Sequence, residues 1–136
     1  MTKDKRFALA YASELLSIAR GDLASAEVLA AHPTQGRKEN ICFAAQQCIE
    51  KTLKAMLCAN SKAVPMTHNI ELLLDRLGES TQPPLGAALI ELTDFATIRR
   101  YQEGSEVIST EDIAATIAAA RQTLVWAEAL ILKVKK

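Results

Sequence analysis

Apolar residues recur at alternating intervals of four and three in two long stretches near opposite ends of the chain. Ala12, Leu16, Ala19, Leu23, Ala26 and Ala30 form the first series, and Ile113, Ile117, Ala120, Leu124, Ala127 and Ile131 the second. At 3.6 residues per turn each series lies along one side of a helix, so each stretch predicts a long amphipathic helix. Nowhere does a sustained period-two pattern ask for a strand. Gly21 falls inside the first helix, where it costs about 1 kcal/mol relative to alanine, so packing has to carry that turn.

Helix breakers divide the sequence between the two series. His32-Pro33-Thr34-Gln35-Gly36 ends the first helix, and a second is expected from Asn40, as N-cap, to Asn60. Ser61 to Thr67, with Pro65, forms a loop before a short helix that carries Ile70, Leu73, Leu74 and Leu77 and stops at Gly78. After Pro83-Pro84, the residues Leu85, Leu89, Leu92 and Ala96 mark a fourth helix reaching Tyr101. Gln102 to Ser109, with Gly104, interrupts it, and Ser109-Thr110-Glu111-Asp112 offers a hydroxyl cap and first-turn carboxylates to a fifth. The expectation is an all-α fold: an antiparallel up-and-down bundle of four long helices plus one short helix, built as one domain over residues 1–136.

Composition narrows what such a bundle can do. Hydrophobic residues are 49% of the chain but aromatics only 4%, so alanine, leucine and isoleucine must build the core. Sixteen basic residues balance sixteen acidic ones, which argues against gripping polyphosphate by bulk positive charge. Cys42, Cys48 and Cys58 lack CxxC spacing and read as buried, reduced thiols of a cytoplasmic protein. The N-terminus lacks the apolar run of a secretory signal, and no stretch is expected to reach the roughly 20 apolar residues of a membrane span. With His32 and His68 as the only histidines and no HExxH pattern, no metal site is expected. Without a glycine-rich phosphate loop or a serine-histidine-aspartate set, no cofactor is expected either.

The second helix carries the most information. At about 100° per residue, Gln46, Gln47, Glu50, Lys51 and Lys54 share one arc of roughly 140°, while Ile41, Ala44, Ala45, Cys48, Ile49, Ala55 and Met56 occupy the rest. Phe43 lies in the middle of the polar arc and Leu57 extends it. Two readings stay open. Either Phe43 tucks under the first loop and the polar groups face water, or the arc meets a partner subunit or ligand. In the second case Phe43, Gln46, Glu50 and Leu57 would form a dimer interface. His68-Asn69 can cap the short helix or take part in a site. Arg99-Arg100-Tyr101 can complement the fourth helix's negative terminus. They can also offer forked phosphate donors beside a ring on which a base stacks.

Three segments together resemble the HEPN (higher eukaryotes and prokaryotes nucleotide-binding) family. They are Phe43-Ala44-Ala45-Gln46-Gln47-Cys48-Ile49-Glu50-Lys51-Thr52-Leu53-Lys54-Ala55-Met56-Leu57, then His68-Asn69-Ile70-Glu71-Leu72-Leu73, then Arg100-Tyr101 with Thr110-Glu111-Asp112. They are similar to the family's F-x-x-Q-Q-x-x-E-K-x-x-K-A-x-L block, its H-x-L-x-x-L element and its R-Y-P…t-x-e-d-A stretch. The resemblance runs from Leu15 to Leu132. It implies a dimeric bundle, in bacteria often encoded beside a small nucleotidyltransferase in toxin–antitoxin-like pairs. Many relatives are metal-independent ribonucleases that use an R-x4-6-H motif. Here Gly104, Ser105 and Glu106 occupy the matching positions and no histidine follows the arginines, so an obvious proton-transfer agent is missing. Gln102 stands where the family usually has the proline after Arg-Tyr.

The expected function is therefore a non-catalytic HEPN-like homodimer that binds a nucleotide or RNA, a nucleotidyltransferase partner, or both. Gln47, Lys51, Lys54, His68, Arg99, Arg100 and Tyr101 are its candidate binding residues. The alternatives are a divergent endoribonuclease toxin, with Arg100 and His68 in catalytic roles, and a pure protein-interaction scaffold.

Overall fold

The computed structural model describes residues 2–32, 37–101 and 108–135, and the side chains of these except 95–101, 134 and 135. They form five helices: α1 (Lys3–Ala30), α2 (Lys38–Ala59), α3 (Ile70–Leu77), α4 (Ala88–Tyr101) and α5 (Thr110–Lys135). No strand occurs among the described residues. The two periodic series fold as their spacing requires. Ala12, Leu16, Ala19, Leu23 and Ala26 on α1 and Ile113, Ile117, Ala120, Leu124, Ala127 and Ile131 on α5 are all buried in one continuous core.

α2 is the hub. It packs most extensively on α1, then on α5, and also touches α3 and α4. That central position explains why Ile49, Glu50 and Ala55 are all sealed from solvent although they point in different directions around the helix. Four buried threonines hide their hydroxyls by donating to the carbonyl one turn back: Thr52 to Cys48, Thr93 to Leu89, Thr116 to Asp112 and Thr123 to Ala119, all at 2.6–2.7 Å. Their polar groups therefore cost little inside the core.

The caps follow local chemistry with two corrections. α2 starts at Lys38, so Asn40 lies inside the helix rather than at its cap, and Arg37 precedes it in extended conformation with no side-chain cap bond. Leu85 belongs to the turn before α4, which starts at Ala88. α5 has a reciprocal box: Ser109 Oγ accepts from Asp112 N and Asp112 Oδ2 accepts from Ser109 N, both at 3.0 Å. α2 closes with Lys62 N donating to Leu57 O at 2.8 Å and Ser61 N to Cys58 O at 3.0 Å. This pairing puts Ser61 at φ 59, the left-handed position that glycine usually fills. The same turn sends Lys62 Nζ to the last carbonyls of α3, Arg76 O and Leu77 O, at 3.2 and 2.7 Å.

Over Thr110–Lys133, α5 is long and apolar enough to cross a membrane by length and composition, contrary to the expectation that no stretch would be. Here it serves as a core helix. Its Arg121 and Glu128 pair with Glu27 and Arg20 of α1, each at 2.8 Å. Both pairs are solvent-exposed and orient the two helices more than they stabilise them.

Candidate functional site

The polar arc of α2 is covered by the chain itself. The loop after α2 returns across that helix through a tight turn in which Thr67 N donates to Pro65 O at 3.0 Å and Asn69 N to Thr67 Oγ1 at 3.1 Å. Asn69 then caps α3, its Oδ1 accepting from Leu72 N at 3.1 Å. His68 is fixed between these two local motifs and laid against α2. The His68-Asn69 pair thus divides its duties: the asparagine caps, and the histidine reaches Glu50.

Glu50 is 0% exposed and uses both oxygens. Oε2 accepts from Lys54 Nζ at 3.1 Å and from Lys51 Nζ at 3.3 Å, while Oε1 lies 2.9 Å from His68 Nδ1. A carboxylate only accepts, so Nδ1 carries the proton and Nε2 is the ring's other nitrogen. Burial alone pushes the Glu50 carboxyl up. The hydrogen bonds from His68 and Lys54 and the charges of Lys54 and Lys51 outweigh that, and it sits below the ordinary carboxylate range. Asp22 of α1 feels the same cluster. Burial raises its carboxyl, with Lys51 opposing and Glu50 reinforcing the shift.

Beside this cluster lies a pocket of about 470 Å³, bounded by α2, the Thr67–Asn69 turn, the start of α3 and α4. Gln46, Thr67, His68 and Asn69 line it, together with Ile70 and Glu71 of α3 and Ile90, Thr93 and Asp94 of α4. His68 keeps 77% of its side chain exposed. Gln46 is only 2% exposed, and its Oε1 has no hydrogen-bond partner among the described residues. An orphaned buried carbonyl of this kind costs about 1–3 kcal/mol.

The candidate residues thus part company. Lys51, Lys54 and His68 converge on Glu50, and Gln47 sits half-buried on the same helix. Glu50 and Leu57, expected at a dimer interface, are enclosed within one chain and offer no surface to a second copy, because α2 is wrapped by its four neighbours. Gln46 is likewise buried, under the pocket, whereas Phe43 is 36% exposed. Arg99, Arg100 and Tyr101 end α4, and their side chains lie outside the described residues. Sequence reasoning missed Thr67, Ile90, Thr93 and Asp94. A signal existed for the last two: they precede Arg100 and Tyr101 by seven residues, two helical turns.

Four helices around a central α2, with a histidine pinned on its polar arc, define a helical-bundle class of protein. Residues 12–130 match the model of the HEPN domain, and the chain belongs to the HEPN family. It is similar to the crystal structure of an archaeal HEPN homologue, with 25% identity and a TM-score of 0.63 over 88% of this chain and 97% of that one. No curated protein matches it.

Proposed function

We propose that this chain, acting as one domain and as a cytoplasmic homodimer, binds a nucleotide or an RNA end at the His68 pocket without cleaving it. One observation carries the reading. A buried carboxylate anchors the His68 ring through Nδ1 while most of the side chain stays open beside a pocket of ligand size. The described lining holds Glu71 and Asp94 but no lysine or arginine, so phosphate belongs at the rim and the uncharged part of the nucleotide inside. Lys51 and His68 serve that rim in this reading, and Arg99, Arg100 and Tyr101 stay candidates from the sequence. Phe43 supplies an exposed apolar contact for the second copy, and Phe7, Tyr11 and Ile18, spaced four and seven on one face of α1, add exposed apolar surface.

The test is equilibrium binding of a nucleoside monophosphate and a short RNA by calorimetry. The wild type binds, and His68→Ala weakens binding at least tenfold with an unchanged circular dichroism spectrum. No binding by the wild type overturns the reading and favours a protein partner, such as a nucleotidyltransferase. Phe43→Asp halves the mass in solution if the dimer uses this face.

A second reading, endonucleolytic cleavage, draws on the same pair. A histidine oriented through one nitrogen by a buried carboxylate is how a general base is held. Cleavage of structured RNA, lost in parallel in His68→Ala and Arg100→Ala, would replace the non-catalytic reading with this one.

A further inference from the structure

Resting on the nucleotide-binding reading, we infer that Glu50 is a positioning residue that lets His68 hold a phosphate only as an imidazolium, so that the ligand's phosphate enters together with one proton.

The inference starts from what the two Glu50 oxygens already hold. Oε2 accepts from Lys54 and Lys51, and among the described residues Oε1 has the Nδ1 of His68, at 2.9 Å. Glu50 is wholly buried, so bulk water cannot replace that donor, and letting the ring go strands a desolvated acceptor. A histidine free in solution can carry its single neutral-state proton on either nitrogen. His68 lacks that freedom while Glu50 is ionised, and the lysines on Oε2 keep it ionised.

The ring therefore has two forms with opposite faces. Neutral His68 has its proton on Nδ1, against Glu50, and a bare lone pair on Nε2, which has no hydrogen-bond partner among the described residues. That lone pair repels a phosphate oxygen. Protonated His68 keeps the Glu50 bond and gains an N–H and a positive charge at Nε2, on a side chain 77% exposed beside the pocket. The other charged groups around it are Lys51 and Lys54 of α2, Asp22 of α1, which feels Lys51 and Glu50, Glu71 of α3 and Asp94 of α4. Glu71 and Asp94 favour a cationic ring over a neutral one and themselves repel phosphate. With no lysine or arginine on the described lining, the imidazolium is the charge there that attracts it.

The methyl ester of AMP tests this, because a phosphodiester keeps one fixed charge where a monoester would itself titrate at about pH 6. Calorimetry on the full chain, in two buffers of different ionisation enthalpy and one pH unit above the ring's own titration, should show nearly one proton taken up per ligand bound. Affinity should fall about tenfold per further pH unit. Nitrogen NMR of the unliganded chain should show neutral His68 protonated on Nδ1. In Glu50→Gln the lysines hold the amide oxygen and the amide N–H faces the ring, so the neutral-state proton should move to Nε2 and the uptake should fall toward zero. Wild-type binding without uptake, or a neutral ring protonated on Nε2, overturns the inference and leaves the nucleotide-binding reading standing. Uptake that persists in His68→Gln overturns it in favour of Glu71 or Asp94. Failure of both AMP and its ester to bind overturns both readings. Should Glu50→Gln fail to fold, by its thermal unfolding curve, the wild-type uptake and spectra decide alone.

Discussion

The Glu50 carboxylate and the His68 ring, eighteen residues apart in sequence, meet at 2.9 Å between Oε1 and Nδ1. Glu50 is wholly buried and His68 mostly exposed, so this one bond ties the interior charge cluster of α2 to the surface turn that shapes the pocket. Its two ends should respond very differently to mutation.

Glu50→Leu leaves the Lys54 ammonium buried without its carboxylate, and breaking a buried pair from one side costs about 3–5 kcal/mol. His68→Ala removes one bond at the surface and should cost only about 1 kcal/mol. Urea unfolding of the two variants should show that order, with Glu50→Leu losing more than twice as much as His68→Ala.

The depressed Glu50 carboxyl sets the sign of an acid response. Because it binds its proton less readily in the folded chain than at its ordinary value of 4.5, its stabilisation is complete above that pH. It is lost as the pH falls below 4.5 through the folded value. Asp22 has the opposite sign, since its raised carboxyl makes ionisation in the folded state unfavourable. Plots of stability against pH should therefore lose part of their acid slope in Glu50→Gln and become steeper in Asp22→Asn.

Cys48 should be inert while the chain is folded. Burial, with smaller contributions from Asp22, Glu128 and Glu27, pushes its thiol up to about 12 against the opposing hydrogen bond with Thr52. At pH 8 that leaves about one thiolate in ten thousand. A disulfide reagent at pH 8 should modify Cys48 only after denaturant is added, as peptide mapping by mass spectrometry will show.

Two backbone positions can be improved. Ser61 holds φ 59 at the end of α2, so Ser61→Gly should gain about 1 kcal/mol. Gly21 is an exposed residue inside α1, and nothing lies within 4 Å of where a Cβ would stand, so Gly21→Ala should gain about 0.5–1 kcal/mol. Thermal melts should rise for each, and the gains should add because the sites are unconnected.

Periodicity and caps are written in neighbouring residues, and this much was legible in the sequence. The α1 and α5 stripes, the Ser109 cap of α5 and the stop of α3 at Gly78 each depend on side chains within a turn or two of the backbone they govern. Asn40 misled for the same reason: a good cap residue was present, but the helix had already started at Lys38. The arc Gln46-Glu50-Lys54 was also readable as polar, facing either water or a partner. What meets it was not, because water, a partner subunit, a ligand and the chain's own Thr67–Asn69 turn all suit the same pattern of amides and ammonium groups. Only the tertiary fold decides between them. It packs α2 against four neighbouring helices, seals Leu57 and Glu50 inside, and returns His68 across eighteen residues to the carboxylate, a choice set by long-range packing that no local spacing encodes.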